Sequence, residues 1–421
     1  MLGLVEGCGK SGMVPAMSNH RHRWIAAASA TVLIGLSGCG GEDAGPQTGA
    51  SLQMYAFSSS PAEDAALNAA IAAYNKLGRN TVKINLLPEY DTALQTALAG
   101  GQPPDVFYVN DNKLPDLARA GALEPIADKM DNPADFHESL TKSFTFQGVN
   151  YCPPKDFSTL QLVYNADELN AAGVQPPKTW EELATAAEKL TKPGRPGLVM
   201  NAEFYRWGVF LAQAGAWPVN DDITAMTMDT PQMRQGLQFV ADLHRKGHAA
   251  APATVGAGWG GEALGKGKAA MTIEGNWIVG AMKTDFPNVK YAVAELPSGP
   301  EGKATMAFSV CYGVAKASPN KAAAIDLVKF LTSPEQQLSF TKDFPVMPSR
   351  KSLSGDWLSG KPELKAFVDG ADYARKSVFV PGFRTVIDVM NDGIQGLAAG
   401  NKTVDQVVTS TQQAGKDVLG K

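Results

Sequence analysis

Aromatic side chains stand beside carboxylates, amides or a guanidinium group at several places where strands are expected to end. Planar polar groups of these kinds hydrogen-bond the hydroxyls of a polyhydroxylated ligand, and aromatic rings pack against its C–H faces. A binding site for such a ligand is therefore predicted from six clusters. They are Phe57-Ser58-Ser59, Glu89-Tyr90-Asp91, Asn110-Asp111-Asn112, Glu203-Phe204-Tyr205, Glu274-Gly275-Asn276-Trp277 and Phe383-Arg384. Trp217 and Trp259 lie in glycine-rich surroundings where a ring can be exposed, although core packing is the alternative for each tryptophan.

Three motifs typical of other chemistries lack the residues that would complete them. Gly260–Lys266 has the spacing of a phosphate-binding loop, but Gly267 replaces the Ser or Thr that would hold Mg²⁺. Ser139-Leu140-Thr141-Lys142 has the spacing of penicillin-interacting enzymes without their two companion motifs. His244 and His248 are four residues apart, but no glutamate accompanies them. We therefore predict no catalytic residues, no metal and no cofactor.

The elements that position these clusters alternate between short strands and helices. Residues 51–57, 81–87 and 105–109 read as strands, and a helix follows each of them. Caps with a Glu or Gln partner three residues later are predicted at Ser60 and Glu63, Thr179 and Glu182, and Ser333 and Gln336. This alternation is typical of an α/β fold with parallel sheets, in which ligands sit beyond the carboxyl ends of the strands.

The whole-chain properties indicate a two-lobed protein with no nucleic-acid partner. The chain has 421 residues, which is too many for one ordinary core. Its formal net charge is -4, whereas a protein that binds a phosphate backbone favours a basic surface.

The N-terminus is typical of an export signal. The basic residues 20–23 precede an apolar stretch over 24–36, which is too short to span a bilayer comfortably. We predict a signal peptide over 1–38, and we interpret 1–16 as a possible misassigned extension because Met17 or Met13 is a better start.

Leu36-Ser37-Gly38-Cys39 resembles the lipobox of bacterial lipoproteins, in which the cysteine is lipidated and becomes the first mature residue. The resemblance implies a lipid on Cys39 and a tether over 39–50, while ordinary cleavage nearby is the alternative. The cysteines that then remain in the folded part are Cys152 and Cys311. In an oxidising compartment they form either one disulfide or two buried thiols.

Several blocks, in this order over the mature chain, resemble the family of extracellular solute-binding proteins that includes maltose-binding protein. They are Gly101-Gln102-Pro103-Pro104-Asp105-Val106, Leu162-Val163-Tyr164-Asn165, Ala172-Gly173-Val174, Pro177-Lys178-Thr179-Trp180-Glu181-Glu182-Leu183, Gly267-Lys268-Ala269-Ala270-Met271 with Gly275-Asn276-Trp277, and Pro348-Ser349-Arg350.

The resemblance implies two α/β lobes that are joined by hinge strands and close on the ligand. We expect residues 51–154 and 312–345 in lobe 1, and residues 155–311 and 346–421 in lobe 2. Tyr151–Leu162 would be one hinge strand and Phe308–Val314 the return strand. Cys152 and Cys311 lie on those two segments, so the resemblance favours a disulfide between them.

The resemblance also ranks the site residues. It implies Trp277 as a ring that stacks on the ligand, Asp111 as a hydroxyl-binding acid and Asp156 as a polar group on the first hinge strand. Trp180 is expected to be structural. The full predicted ligand set is Trp277, Asp111, Asp156, Arg384, Trp259, Tyr90, Tyr205, Asn112, Phe57, Ser58, Glu203 and Trp217.

The predicted function is that of a receptor without catalysis. It would capture a mono- or oligosaccharide and deliver it to the transmembrane subunits of an ABC-type importer. The receptor would be a monomer, held on the outer face of the cytoplasmic membrane by its lipid alone. The alternatives are a glycerophosphodiester or polyol ligand on the same scaffold, an exported glycan-acting enzyme that uses Glu203 and Glu274, and a surface adhesin.

Overall fold

In this computed structural model, residues 48–58, 60–376 and 380–420 are described. The predicted signal peptide, the lipid attachment residue Cys39 and most of the predicted tether lie outside these residues.

Strands form two large sheets and one short hairpin. In chain order the strands are β1 (Ser51–Ala56), β2 (Thr81–Leu86), β3 (Val106–Asn110), β4 (Leu123–Glu124), β5 (Thr145–Phe146), β6 (Val149–Asn150), β7 (Ser158–Asn165), β8 (Leu198–Val199), β9 (Ala249–Ala250), β10 (Met271–Gly275), β11 (Tyr291–Ala294), β12 (Thr305–Phe308), β13 (Val310–Ala315) and β14 (Ala374–Arg375).

The first sheet has the order β2-β1-β3-β13-β4, with β1 parallel to β2 and β3. The second has the order β14-β12-β7-β10-β8-β9, and β11 also pairs with β7. Antiparallel pairs occur where β13 meets β3 and where β7 meets β10, β11 and β12. The predicted α/β class is confirmed, with the antiparallel pairs concentrated at the strands that follow the crossings between the sheets.

Helices cover the sheets. They are α1 (Pro61–Lys76), α2 (Tyr90–Ala99), α3 (Leu114–Arg119), α4 (Glu138–Ser143), α5 (Ala166–Ala171), α6 (Trp180–Leu190), α7 (Phe204–Gln213), α8 (Pro231–Arg245), α9 (Gly260–Gly265), α10 (Ile278–Thr284), α11 (Lys321–Leu331), α12 (Pro334–Asp343), α13 (Ser354–Leu358), α14 (Lys365–Asp369), α15 (Arg384–Ala398) and α16 (Val404–Leu419). None of the helices in the described part of the chain is both long enough and apolar enough to cross a membrane.

The predicted caps explain where the helices begin. The hydroxyls of Ser60, Thr179 and Ser333 each accept a hydrogen bond from the backbone N–H three residues later, which begins α1, α6 and α12. The Glu182 carboxylate accepts from the N–H of Lys178, one residue before the cap. Trp180 is buried at the start of α6, stacks on Phe239 and donates to Gln213, as expected for a structural residue.

Each large sheet has its own apolar core, which gives two lobes. The first core contains Leu52, Met54 and Ala56, the alternate residues of β1 that point to one face of the strand. The second core lies between β7, β10 and the helices α6, α7, α8 and α15. Three segments pass between the lobes, over residues 152–158, 308–310 and 344–350. The residue-level lobe boundaries given above stay a prediction.

A disulfide joins Cys152 to Cys311, with 5.6 Å between the Cα atoms, and this confirms the predicted pair. Both residues are fully buried. The backbone beside them is also paired, because the N–H of Lys155 donates to Val310 and the N–H of Tyr312 donates to Pro153. The disulfide therefore ties the first crossing segment to β13.

Removing this disulfide should destabilise the protein. In the Cys152→Ala/Cys311→Ala variant we expect the free energy of unfolding to fall by about 2–5 kcal/mol, because the bond closes a long loop in the unfolded chain. Urea titration followed by circular dichroism measures the change. Dithiothreitol should alter the unfolding midpoint of the wild type and leave that of the double variant unchanged. Equal unfolding free energies for the two proteins would contradict the stabilising role.

Candidate functional site

A cavity of about 990 Å³ opens between the two sheets. Its wall combines the start of α1, the end of β3, the crossing segments, α10 and the ends of β10 and β12. The side chains that carry polar or aromatic groups into it are Phe57, Glu63, Asn110, Lys155, Asp156, Arg206, Trp259, Glu274, Trp277, Asp285, Phe308 and Phe344. Position and composition both match the ligand cleft expected beyond strand ends.

Lys155 forms the buried floor of this cavity together with two carboxylates. Its ammonium donates to Glu63 Oε1 at 2.6 Å and also to Asp156 Oδ2. All three side chains are at least nine-tenths buried. The Phe340 ring centroid lies 4.9 Å from the ammonium, an arrangement that favours a cation. We call these three residues the floor triad.

The pKa values of the floor triad reflect burial and pairing. Burial alone would lower the pKa of Lys155, but the charges of Asp156 and Glu63 outweigh it and raise that pKa. Burial also raises the pKa of Asp156, and the ammonium only partly offsets this. The floor triad therefore favours the charged form of Lys155, which lies between two buried carboxyl groups.

Arg206 repeats the arrangement in the second lobe. Its guanidinium donates to Glu203 Oε1 at 3.1 Å and to Glu274 Oε2 at 2.7 Å. Glu203 also caps α7 by accepting from the N–H of Tyr205. Trp277 donates its indole N–H to the same Glu274 oxygen at 3.0 Å, and the guanidinium carbon lies 5.6 Å from the Trp277 ring centroid. We call Glu203, Arg206 and Glu274 the wall triad.

Aromatic rings border the wall triad. Trp277 meets Phe308 edge-on, with ring centroids 5.5 Å apart, and both rings are partly exposed to the cavity. Glycines make room for the indoles. A Cβ on Gly275 would lie 2.3 Å from the Trp277 ring, and one on Gly261 would lie 2.1 Å from Trp259. These contacts are too close for any side chain, so glycine at both positions lets the tryptophans fold back along the wall.

The structure brings four of the predicted residues to the cavity, namely Phe57, Asp156, Trp259 and Trp277. Two more act from behind its wall. Glu203 binds Arg206, and the Tyr205 ring lies 5.7 Å from that of Phe308. The groups on this surface are of the kinds that can hydrogen-bond hydroxyls and stack against apolar ring faces.

Asp111 and Asn112 directly follow β3 and lie outside the lining of the 990 Å³ cavity. Asp111 lines a second cavity, of about 520 Å³, with Lys376. Burial raises its pKa to about 7, although N–H groups of its own loop and the charge of Lys376 lower it. Burial likewise raises the pKa of Tyr205, and a hydrogen bond with Asn112 opposes this. Asn112 and Tyr205 thus connect the end of β3 with the start of α7.

The other predicted residues lie outside the lining of the 990 Å³ cavity. Tyr90 is buried and donates its hydroxyl to the Tyr108 carbonyl, and Phe57 packs edge-on against it. Ser58 is exposed and donates to Asp64. Arg384 is exposed and pairs with Asp388 one helical turn away. Trp217 lines a third cavity, of about 580 Å³, with the Arg375 guanidinium 5.0 Å from its ring.

Sequence reasoning gave Glu63, Lys155, Arg206 and Phe344 no place in the predicted sugar site, whereas Glu274 belongs to one of the six predicted clusters. Glu63 was predicted only as a capping partner, and its partner Lys155 is 92 positions away. No local pattern signals such a pair. The adjacent charges of Lys155 and Asp156 on a predicted strand were the available signal, since a buried strand seldom carries charge. Among the described residues, no group of three or more His, Cys, Asp or Glu side chains is arranged to hold a metal ion.

Comparison with known proteins gives a consistent result. Residues 69–366 match the family described as bacterial extracellular solute-binding protein. The maltotriose-binding protein of Pyrococcus abyssi is 25% identical over 293 residues, which are 66% of this chain and 60% of that protein. The diacetylchitobiose-binding protein DasA of Streptomyces coelicolor is 24% identical and matches 70% of this chain and 71% of its own.

A solved structure has the same fold. The GacH receptor of Streptomyces glaucescens, which was solved unliganded and with acarbose, superimposes with a TM-score of 0.79 at 24% identity. The match covers 89% of this chain and 99% of that one. At this identity the likeness shows the two-lobed fold alone.

Lys155 should be essential for the stability of the cavity floor. In the Lys155→Met variant we expect the free energy of unfolding to fall by about 3–5 kcal/mol, because two buried carboxyl groups lose the cation that they share. The pKa of Asp156, which burial already raises, then loses the opposing effect of the ammonium, so stability should recover as the pH falls from 7 to 5. Urea unfolding at both pH values measures this.

The matched control is Lys365→Met, which removes an exposed partner of Asp369 and should leave the free energy of unfolding nearly unchanged. Replacing all three members as Glu63→Gln/Lys155→Met/Asp156→Asn should restore much of the loss. A Lys155→Met variant as stable as the control would show that these ion pairs do not contribute to the free energy of unfolding.

Asp111 should make stability depend on pH. Its folded pKa of about 7 lies above the ordinary value near 3.8, so the folded state binds more protons over that range. The stability contributed by the protonated form is therefore lost as the pH rises from about 4 through 7. In Asp111→Asn this decline should flatten, and the variant should be the more stable protein at pH 8. Denaturant titrations across pH 4–8 measure it, and parallel profiles for the two proteins would contradict the raised pKa.

Proposed function

The chain belongs to the bacterial extracellular solute-binding protein family, and on that premise we propose that it is the receptor of an ABC-type importer for a mono- or oligosaccharide. The ligand binds in the 990 Å³ cavity between the lobes and is delivered to the importer's transmembrane subunits.

This proposal rests on one observation. Aromatic rings and carboxylates that are paired with cations line the same cavity. Trp277 lies against Arg206 and Glu274, so a sugar ring stacked on the indole places its edge hydroxyls beside ionised groups. Trp259 and Phe308 extend the apolar surface of the same cavity. Hydrogen bonds from hydroxyls to charged groups are stronger than neutral ones, and rings exclude water from them.

The named relatives support a sugar as the ligand. One is a maltotriose-binding protein and another binds diacetylchitobiose. The GacH receptor was solved with acarbose. These proteins share the fold and differ from this chain at three-quarters of the aligned positions, so the identity of the sugar has to come from the residues of this cavity.

The pairing of the cations disfavours the phosphate-bearing alternative. A phosphodiester calls for basic groups that are free to bind its oxygens. In the cavity as described, Lys155 is held by Glu63 and Asp156, and Arg206 is held by Glu203 and Glu274. A phosphate would have to displace a carboxylate from either cation. The family and the similar structures are those of binding proteins, and we propose that this chain likewise performs no catalysis.

The remaining features complete the proposal. The receptor is a monomer that is exported through its signal peptide over 1–38 and held by a lipid on Cys39 at the outer face of the cytoplasmic membrane. The lobes comprise residues 51–154 with 312–345, and residues 155–311 with 346–421. Hinge closure follows rotation about the three crossing segments.

Sugar binding should be visible as ligand-dependent stabilisation of the purified protein. A ligand at a hundred times its Kd raises the free energy of unfolding by about 2.7 kcal/mol, because it binds the native state alone. Thermal unfolding across a panel of mono- and oligosaccharides identifies the ligand, and calorimetry then gives its Kd. A panel without any shift, together with a clear shift from a non-sugar solute, would remove the sugar assignment.

The Trp277→Ala variant should raise that Kd about tenfold or more, since the ring face is lost. The control is Trp357→Phe, which changes a buried tryptophan outside the cavity lining and should leave Kd unaltered.

A further inference from the structure

The charges of the cavity do not balance. The floor triad contains two carboxylates and one ammonium, and the wall triad contains two carboxylates and one guanidinium. With every group ionised, each triad carries one net negative charge, which gives two in total. Asp285 on the exposed rim adds a further carboxylate. A cleft lined by an excess of one sign attracts ligands of the opposite sign.

The excess negative charge is costly because the groups are buried. Glu63 and Glu274 are 2% and 0% exposed. Burial raises the pKa of Asp156 and of Glu203, even though Lys155 and Arg206 lower these values. The ionised form of each of these two carboxyls is thus disfavoured by burial, and its own cation only partly offsets that cost. A cationic group placed between the triads would supply the missing charge.

One buried acceptor has no partner. Glu274 uses Oε2 for both Arg206 and Trp277, whereas its Oε1 makes no hydrogen bond within the described residues. A buried carboxylate oxygen without a donor is unfavourable. This oxygen lies on the side of Gly260, where a Cβ would be 2.7 Å away, so it adds to the cost of burying a carboxylate in the cavity wall.

The aromatic surface restricts what kind of cation fits. The cavity is lined by three aromatic rings that can pack against flat apolar patches, those of Trp259, Trp277 and Phe308. The Arg206 guanidinium also lies near the Trp277 ring. A small inorganic cation would leave these rings without a partner. A sugar ring that bears an amine uses both features, because its C–H face packs on a ring and its ammonium meets carboxylates.

We propose that the cavity prefers an amino sugar, which binds with its protonated amine between the wall triad and the floor triad, over a neutral sugar of the same ring and linkage. This inference rests on the sugar-binding function proposed above and specifies the ligand class of that site. The ammonium offsets the negative charge that the two cations leave over.

Matched pairs of sugars test the preference. The purified protein is titrated calorimetrically at pH 7 with glucosamine against glucose, galactosamine against galactose, mannosamine against mannose, and the β-1,4-linked glucosamine disaccharide against cellobiose. Each monosaccharide pair differs only in one ammonium in place of a hydroxyl, and the disaccharide pair differs in two. We expect the amino member of the best-binding pair to have a Kd about tenfold lower. We also expect that ratio to shrink as NaCl is raised from 20 to 500 mM.

Variants locate the preference in the cavity. Glu274→Gln removes one negative charge at constant shape and should bring the Kd ratio of the pair close to one, mainly by weakening the amino sugar. Asp156→Asn, an independent variant in the other triad, should reduce the ratio in the same direction. Asp388→Asn removes an exposed carboxylate that pairs with Arg384 outside the cavity, so it should leave the ratio unchanged. Melting temperatures verify that each variant is folded.

The possible results distinguish a failure of the amino-sugar preference from a failure of the proposed sugar-binding function. Equal or tighter binding of the neutral member in every pair that binds would overturn the amine preference and leave sugar binding intact. A preference that persists unchanged in both Glu274→Gln and Asp156→Asn would also overturn it, because the charge would then lie elsewhere. Absence of binding by every amino and neutral sugar, in the folded wild type, would remove the sugar function and this inference together.

Discussion

The buried ammonium of Lys155 is the interaction on which the rest of the cavity depends. It lies where the first crossing segment leaves one sheet for the other, and it binds Glu63 at the start of α1 and its own neighbour Asp156. Three ionised groups taken out of water are stable only as a set, because each one alone would carry a large desolvation cost. Their mutual dependence fixes the start of a first-lobe helix against the hinge, and the Cys152–Cys311 disulfide holds the strand beside it.

The same constraint shapes the opposite wall. Arg206 orients two carboxylates there, and one of them positions the indole of Trp277 through a hydrogen bond. Close packing around Gly260 reinforces this, since a Cβ at that position would lie 2.7 Å from Glu274 Oε1. Aromatic and charged groups are therefore held in place before a ligand arrives. Preorganisation of this kind lowers the ordering cost of binding.

Local patterns in the sequence predicted the framework, and long-range pairing accounts for what they missed. A helix cap involves residues only three positions apart, so the caps at Ser60 and Thr179 could be predicted from the sequence, and the structure confirms them. Tyr90 looked like a loop residue next to two acids, but it opens α2 and turns into the first core to reach Tyr108. Arg384 was predicted as a ligand residue, but it forms a surface ion pair with Asp388 one helical turn away. Glu63 was predicted only as the capping partner of Ser60, because no local sequence pattern indicates its pairing with the distant Lys155.

The position of the two triads links charge to lobe closure. The floor triad is anchored to the first sheet, because Lys155 pairs through its backbone with β13 and through its ammonium with α1. The wall triad belongs to α7 and β10 of the second lobe. With every group ionised each triad carries net negative charge, so in the proposed hinge closure their repulsion would grow as the lobes approach and water leaves the cavity. If the ligand is an amino sugar, as proposed, its ammonium would offset this repulsion and favour the closed form.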